Sequence, residues 1–522
     1  MPLWGAVLTA LLAAPLLDGA FPDRGLWPLA FPAVAAVLVA LRGRRPRSAL
    51  LVGFVFGLTF YLVHIEWATL FLGPVPWAAL SALEALFVAA GSVLIAVAYR
   101  VVPRVWPSRL GRLGLLPTVV AGLWTAREAI SAVWPYGGFS WGRLAMSQSE
   151  SPIAPLFSWL GISGVSFAMV WLTAFALELW VTRTRMSARA PAQGFGPAFR
   201  DGRFRPYPGT ALRILLVLAG AVALAAVPAW QTAAAGTLRV GAVQGNTRSA
   251  YFDQRDYDGE ILDGHLAATL PILDRNLDVV LWPEGASDLD PLTSQPAAEA
   301  LDLVAQAADA PLIVGAITTR GDKIYNSSLL WEAGEGAVDT YDKRHPVPFG
   351  EYIPDRAFWE PFAPDLIGLV QREYTPGTTS PVFDLGAVKV AVNICFDVVD
   401  DALMTQSIDD GAEVLFAQSN NADFGRTDES VQQLAIARIR ALETGRSVVN
   451  ISTVGTSAVI APDGSTLDSL PTYTAGAMVD DVPLRTGSTP AVLFGRGVEL
   501  LVSGLGLAAL VLGGILSRRR RH

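Results

Sequence analysis

Val388-Lys389-Val390-Ala391-Val392-Asn393-Ile394-Cys395-Phe396-Asp397 decides how the second half of this chain is read. Its apolar residues have the length of a buried strand, and the run ends on the only cysteine among 522 residues. Two more reactive side chains occupy similar places. Val279-Val280-Leu281-Trp282-Pro283 leads into Glu284, and Lys343 lies in Tyr341-Asp342-Lys343-Arg344-His345-Pro346-Val347-Pro348-Phe349-Gly350-Glu351. Open α/β sheets place their sites at strand ends. Other strand-like runs cover 238–244, 277–282, 311–317, 414–418 and 448–454, with helical periodicity at 257–275, 297–308 and 428–444. Strands interleaved with helices predict a layered α/β domain.

Outward from these runs the composition changes. Residues 237–486 carry a net charge of −22, whereas residues 1–236 carry +10 from 18 Arg and no Lys, and residues 487–522 carry +4. The whole chain is 52% hydrophobic and only 16% charged, where a soluble chain has about 25% charged residues. That excludes a wholly soluble enzyme, a disordered protein and a nucleic-acid binder relying on global positive charge. A bilayer core takes roughly 20 apolar residues per helix. Candidate spans lie at 3–20, 27–41, 49–70, 75–99, 114–133, 153–181 and 211–230, with an eighth at 493–516. The first two are short and could form a tight helical hairpin. The expected organisation is a membrane domain over 1–236, a catalytic domain over 237–486, and a terminal span with a basic tail over 487–522.

Arginine clusters set the expected orientation. They fall on alternate connections: Arg42 to Arg47, then Arg100 to Arg112, then Arg183 to Arg213, and finally Arg518 to Arg521; the loop 183–210 within the third is read as mobile. Both termini are therefore expected in the cytoplasm and the acidic domain outside the cytoplasmic membrane. Exported proteins usually pair their cysteines, so a lone Cys395 is either inert or kept for its reactivity. One cysteine and four scattered histidines leave no metal-ligand spacing, and neither a metal nor a cofactor is expected. The chain holds 36 Arg but only Lys323, Lys343 and Lys389. A Lys inside a stiff Pro-rich segment suggests a need for a compact ammonium. Taken alone, Cys395 also fits a small core residue, Glu284 a helix cap or turn acid, and Lys343 a solvated surface charge. His345 reads as structural. Glu66, Glu84 and Glu128 lie in or near spans, where ionisable groups are costly; Glu128 is read as pairing with Arg127 or Arg143.

These segments resemble the nitrilase superfamily and, over nearly the whole chain, the bacterial apolipoprotein N-acyltransferase family. The resemblance rests on Trp282-Pro283-Glu284, on Lys343-Arg344-His345 through Phe349-Gly350-Glu351-Tyr352-Ile353-Pro354, and on Asn393-Ile394-Cys395. Val243-Gln244-Gly245-Asn246, Arg440-Ala441-Leu442-Glu443 and Gly138-Phe139-Ser140-Trp141 add to it. It implies an αββα sandwich on about eight spans, and transfer of a fatty acyl chain from a phospholipid to the amine of a diacylglyceryl-cysteine lipoprotein. It further implies that Glu284 is the base, Lys343 the stabiliser of thiolate and oxyanion, and Cys395 the nucleophile, with Glu351 orienting Lys343 or the amine. Phe396 and Asp397 stand where the family often has Tyr and Glu, and Asp423 departs from its later aromatic element.

A lipid substrate also requires a mouth at the membrane surface. Phe358, Trp359 and Phe362, with Leu366, Ile367 and Leu369, and separately Tyr251 and Phe252, are apolar residues in expected loops of an acidic domain. The expected partners are a phospholipid donor, a lipoprotein acceptor and the bilayer, with no nucleic acid, and the chain is expected to be a monomer. Two rivals remain: a membrane-tethered amidase or nitrilase using water as acceptor, and a non-catalytic partner of an envelope glycosyltransferase.

Overall fold

The computed structural model describes residues 1–187, 208–248, 255–370 and 372–519. Tyr251, Phe252 and most of the 183–210 loop lie outside the described residues.

Helices form at all eight expected places. They are α1 (Leu3–Asp18), α2 (Ala30–Leu41), α3 (Pro46–His64), then after a short α4 (Ala68–Leu72), α5 (Pro74–Val105), α6 (Leu116–Ser131), α7 (Phe157–Ser187) and α8 (Pro208–Ala225), with the eighth closing the chain. Pro at the first turn of α3, α5 and α6 starts each where a missing N–H costs nothing. Among the described residues four helices are long and apolar enough to cross a membrane: those of 46–64, 74–105, 154–181 and 490–519. The others fall short of that measure for physical reasons. At 1.5 Å per residue, the 16 residues of α1 reach about 24 Å of a core near 30 Å. The equally short α6 carries Arg127 and Glu128 in its last turns.

The second half follows, with β1 (Ala233–Gln244), α9 (Glu260–Thr269), β2 (Val279–Leu281), α10 (Gln295–Ala308), β3 (Leu312–Arg320), β4 (Lys323–Glu332) and β5 (Gly336–Asp342). Two short helices, α11 (Arg356–Trp359) and α12 (Pro364–Ile367), precede β6 (Val382–Asp384) and β7 (Lys389–Ile394). Then come α13 (Asp401–Asp409), β8 (Val414–Ser419), α14 (Glu429–Thr444), β9 (Ser447–Ser452), β10 (Ser457–Ile460), β11 (Thr466–Leu470), β12 (Gly476–Thr486) and the terminal α15 (Pro490–Arg519). The strands make two six-stranded sheets, ordered β12-β1-β2-β3-β4-β5 and β11-β10-β9-β8-β7-β6. Strands β1, β2 and β3 run parallel, as do β7, β8 and β9, and the outer strands are antiparallel.

Alternation sorts the side chains into layers. Val240 and Ala242 of β1 meet Val390, Val392, Val414 and Phe416 in the core between the sheets. Val280, Leu312 and Val314 face the other way, against Leu301 and Val304 of α10. On the far side, Ala391 and Leu415 share a core with Ile436 and Ile439 of α14 and with the apolar helices of the first half. The sandwich is therefore αββα, and its α14 layer is also the floor on which the membrane helices sit.

Polar staples fix that junction. Arg143 of the α6–α7 connection makes a two-armed ion pair with Asp401 at 2.7 Å for each arm. Arg440 of α14 reaches Asp401 at 2.8 Å and the Val398 carbonyl at 2.8 Å, and also pairs with Glu443. Burial works against the Asp401 charge, but Arg143 and Arg440 hold its carboxyl well below the usual carboxylate range. Trp141 Nε1 donates to Gln432 at 2.7 Å beside these. The terminal helix packs on α6 through Gly122, where a Cβ would stand 2.3 Å from the Val502 carbonyl oxygen.

Candidate active site

The three sequence-marked residues converge at one end of the sandwich. Glu284 follows β2, Lys343 follows β5, and Cys395 follows β7. Cys395 sits in the left-handed region at φ +50°, a conformation that costs a non-glycine residue roughly 1–3 kcal/mol and clusters at active sites. The turn it opens, 395–399, is held by Arg440 on the Val398 carbonyl. Gly315 of β3 lets the Glu284 loop lie close, since a Cβ there would stand 2.3 Å from the Pro283 carbonyl oxygen.

Glu284 accepts from Asn326 Nδ2 at 2.7 Å through one oxygen and from the Asn420 N–H at 2.8 Å through the other. Lys343 Nζ lies 3.7 Å from Glu284 and 2.8 Å from Glu351. Glu351 in turn accepts from the Val347 N–H at 2.6 Å and from Asn326 Nδ2 at 3.3 Å. The cluster is thus one ammonium between two carboxylates, with the thiol beside it. Glu351 orients Lys343 directly.

Burial pushes the Glu284 carboxyl up, Lys343 offsets part of that, and Glu351 adds to it. Burial alone would lower Lys343, but Glu351, Cys395 and Glu284 together hold its ammonium well above the ordinary lysine value. The Cys395 thiol is raised by burial and then by Glu284, with Lys343 working the other way. This refines the expectation that Lys343 favours a thiolate: at rest the ammonium is committed to Glu351 and the sulfur keeps its proton. A raised carboxyl beside a protonated thiol suits proton transfer during attack, because a base works best with a pKa near the operating pH.

Asp397 lies beneath the site rather than in it. Buried, it accepts from Tyr341 Oη at 2.8 Å, from the His345 N–H at 3.1 Å and from the Ile394 N–H at 3.3 Å. It therefore ties the Lys343 strand end to the Cys395 turn. Replacing a bonded buried partner costs about 1–3 kcal/mol. Asp397→Ala is expected to lower thermal stability and slow the reaction through mispositioning of Lys343, read by calorimetry and by kcat. Phe396 stacks between Phe139 and Trp141 at centroid distances of 6.1 and 6.3 Å. His345 is structural in its backbone, with its ring 3.4 Å from Asp400.

The apolar loop residues hang from the Glu351 turn. Phe358 and Phe362 are exposed, whereas Trp359 packs on a small core of Ile353, Ile367 and Val370. Tyr136 of the α6–α7 connection donates to Asp355 at 3.0 Å and holds this loop to the helical half. A cleft of about 800 Å³ runs between the two halves, walled by Gly138, Leu160, Ile162, His345, Phe396 and Val492 among others. Glu84 and Glu128 are buried in the helical half; Glu128 accepts from Trp124 at 2.8 Å and pairs with Arg127 at 3.4 Å, while Arg143 goes to Asp401 instead. Glu66 sits exposed in the turn after α3. Among the described residues no cluster suited to a metal ion occurs.

Two family descriptions match the chain: an apolipoprotein N-acyltransferase N-terminal domain over residues 13–175 and a carbon-nitrogen hydrolase over 239–490. The apolipoprotein N-acyltransferase of Mycolicibacterium smegmatis is 30% identical over 520 residues, covering 94% of this chain and 82% of that protein. The chain belongs to the apolipoprotein N-acyltransferase family. The Azotobacter vinelandii member is 29% identical, with 99% and 96% of the two chains covered. Among solved structures, an amidase from Nesterenkonia sp. matches 48% of this chain and 92% of its own at 17% identity, with a TM-score of 0.37. The chain is thus an N-acyltransferase of lipoproteins, with a nitrilase-like domain on an apolar helical region.

Proposed function

We propose that the enzyme moves a fatty acyl chain from a membrane phospholipid to the N-terminal amine of a diacylglyceryl-cysteine lipoprotein, in two steps through a thioester on Cys395. The observation that carries the reading is the convergence of Glu284, Lys343 and Cys395, with Lys343 braced by Glu351 at 2.8 Å. Glu284 takes the thiol proton as sulfur attacks the ester carbonyl, and returns it to the departing lysophospholipid oxygen. Lys343 stabilises the tetrahedral oxyanion, together with the N–H of Phe396; one such donor contributes roughly 3–4 kcal/mol. The amine then attacks the thioester with Glu284 again accepting a proton.

A lipid donor accounts for the architecture. Withdrawing an acyl chain from the bilayer costs about 0.8 kcal/mol per CH₂, so the site has to open at the membrane. Exposed Phe358, Phe362 and Leu369 suit contact with lipid, and the cleft past Phe396 suits an acyl chain. The arginine pattern supports eight spans, cytoplasmic termini and a catalytic domain outside the cytoplasmic membrane of a bacterium. The enzyme works as a monomer without cofactor, and its partners are the phospholipid, the lipoprotein and the bilayer. The test is purified enzyme with labelled phospholipid and a synthetic diacylglyceryl-cysteine peptide. Label on the peptide amine is expected; label released only as free fatty acid contradicts the reading and marks a hydrolase.

A further inference from the structure

One buried carboxyl beside the triad has no part in the thioester chemistry. Glu429, the first residue of α14, is 2% exposed. Its Oε2 accepts from Asn421 Nδ2 at 2.7 Å, and no donor faces its other oxygen among the described residues. Asn421 Nδ2 also reaches Gln433 Oε1 at 2.7 Å, one turn further along α14. Gln433 Nε2 is left buried without an acceptor. This polar group adjoins the machinery, because Asn421 follows the residue whose N–H holds Glu284. The Glu429 charge pushes on Cys395, and the Glu284 charge pushes on Glu429.

Proton balance shows what such a group is for, provided the transferase reading above holds. An α-amino group titrates near 8, so much of the acceptor arrives as ammonium, while only the free amine attacks. Thioester plus ammonium gives amide, thiol and one released proton. Glu284 carries one proton from nitrogen to the leaving sulfur. The second has no carrier in the triad, since Lys343 is already protonated.

We propose that Glu429 and Gln433 form the acceptor subsite: the Glu429 carboxylate receives the ammonium and takes its surplus proton, and Gln433 Nε2 donates to the carbonyl of the same acceptor residue. As the ammonium docks, Glu429 releases its own proton to solvent and pairs with the cation. It then takes a proton from nitrogen, and the free amine forms the C–N bond while the carbonyl electrons move to oxygen. Glu284 removes the second nitrogen proton, the C–S bond breaks, and that proton passes to sulfur. The groups facing Glu429 suit an arriving cation. They are Glu284, Asp423, Cys395, Tyr473 and the Asn421 amide; Arg426 lies over the Tyr473 ring. Burial first, and Glu284 and Asp423 after it, push the carboxyl up to about 8, close to the amine it would serve.

The test is Glu429→Gln in the full-length enzyme, read in three arms. Loading of acyl label from phospholipid is expected to change far less than the chase, since glutamine mimics the protonated resting group. Chase with a diacylglyceryl-cysteine peptide should slow about 100-fold, the size of a general-base contribution, with a raised KM for the peptide and partial recovery in Glu429→Asp. Chase with hydroxylamine, uncharged at neutral pH, should be unaffected. A wild-type peptide chase overturns the assignment, and so does an equal loss with hydroxylamine, which marks a structural role. Failure of the wild-type enzyme to load label overturns the transferase reading itself, and the subsite with it.

Discussion

Cys395→Ala is expected to load no acyl chain from phospholipid and to transfer none to a lipopeptide, with the protein still folded. The sulfur is the strongest nucleophile in the cluster, because thiolate is the strongest nucleophile a side chain offers. The substitution removes little packing: Cys395 is only partly buried at the edge of the core between the sheets. An unchanged melting temperature with no adduct in a gel of labelled enzyme is the expected pair of results. An adduct of wild-type yield on the alanine variant contradicts the assignment.

Glu284→Gln is expected to slow loading by about 10²–10⁴-fold, the range of a positioned general base. Glutamine keeps an oxygen for Asn326 but turns a second donor or a poorer acceptor toward the Asn420 N–H. The pH profile separates loss of the base from a local rearrangement. Glu284 has to be ionised to take the thiol proton, and burial raises its pKa above the usual carboxylate value. Loading by the wild-type enzyme should therefore rise with pH through a limb lying above the ordinary carboxylate range. In the glutamine variant that limb should disappear. A variant that keeps the limb and most of the rate would place the base elsewhere.

Much of this organisation is legible in the sequence because hydrophobic burial writes it in long runs. The strands of 389–394, 414–419 and 447–452 are buried on both faces, so they read as continuous apolar segments. Edge strands such as β5 and β11 do not, since Val338 and Leu467 stand beside polar neighbours such as Asp339 and Asp468 on an exposed surface. Glu284 and Cys395 are visible because each ends such a run, and Lys343 because it is one of three lysines and lies in a Pro-rich segment. Asn326 is not: it lies mid-strand in β4, and only tertiary pairing brings its amide to Glu284. Arg143 and Asp401 are likewise 258 positions apart, and no local pattern announces their ion pair. Asn420 lies just past the strand-like run of 414–418, yet its contribution is a backbone N–H, which carries no side-chain signature. Apolar runs suggested eight spans, whereas four of the described helices are long and apolar enough to cross a membrane, because the remaining apolar helices are shorter than a bilayer core requires.

The most direct measurement is the chemical site of the acyl group. Purified enzyme is incubated with labelled phospholipid, quenched in acid, digested and mapped. The account predicts one labelled peptide carrying the acyl chain on Cys395, discharged by hydroxylamine and by a diacylglyceryl-cysteine peptide. Label on a hydroxyl side chain, or transfer to the peptide with no Cys395 adduct at any time, would contradict the thioester route.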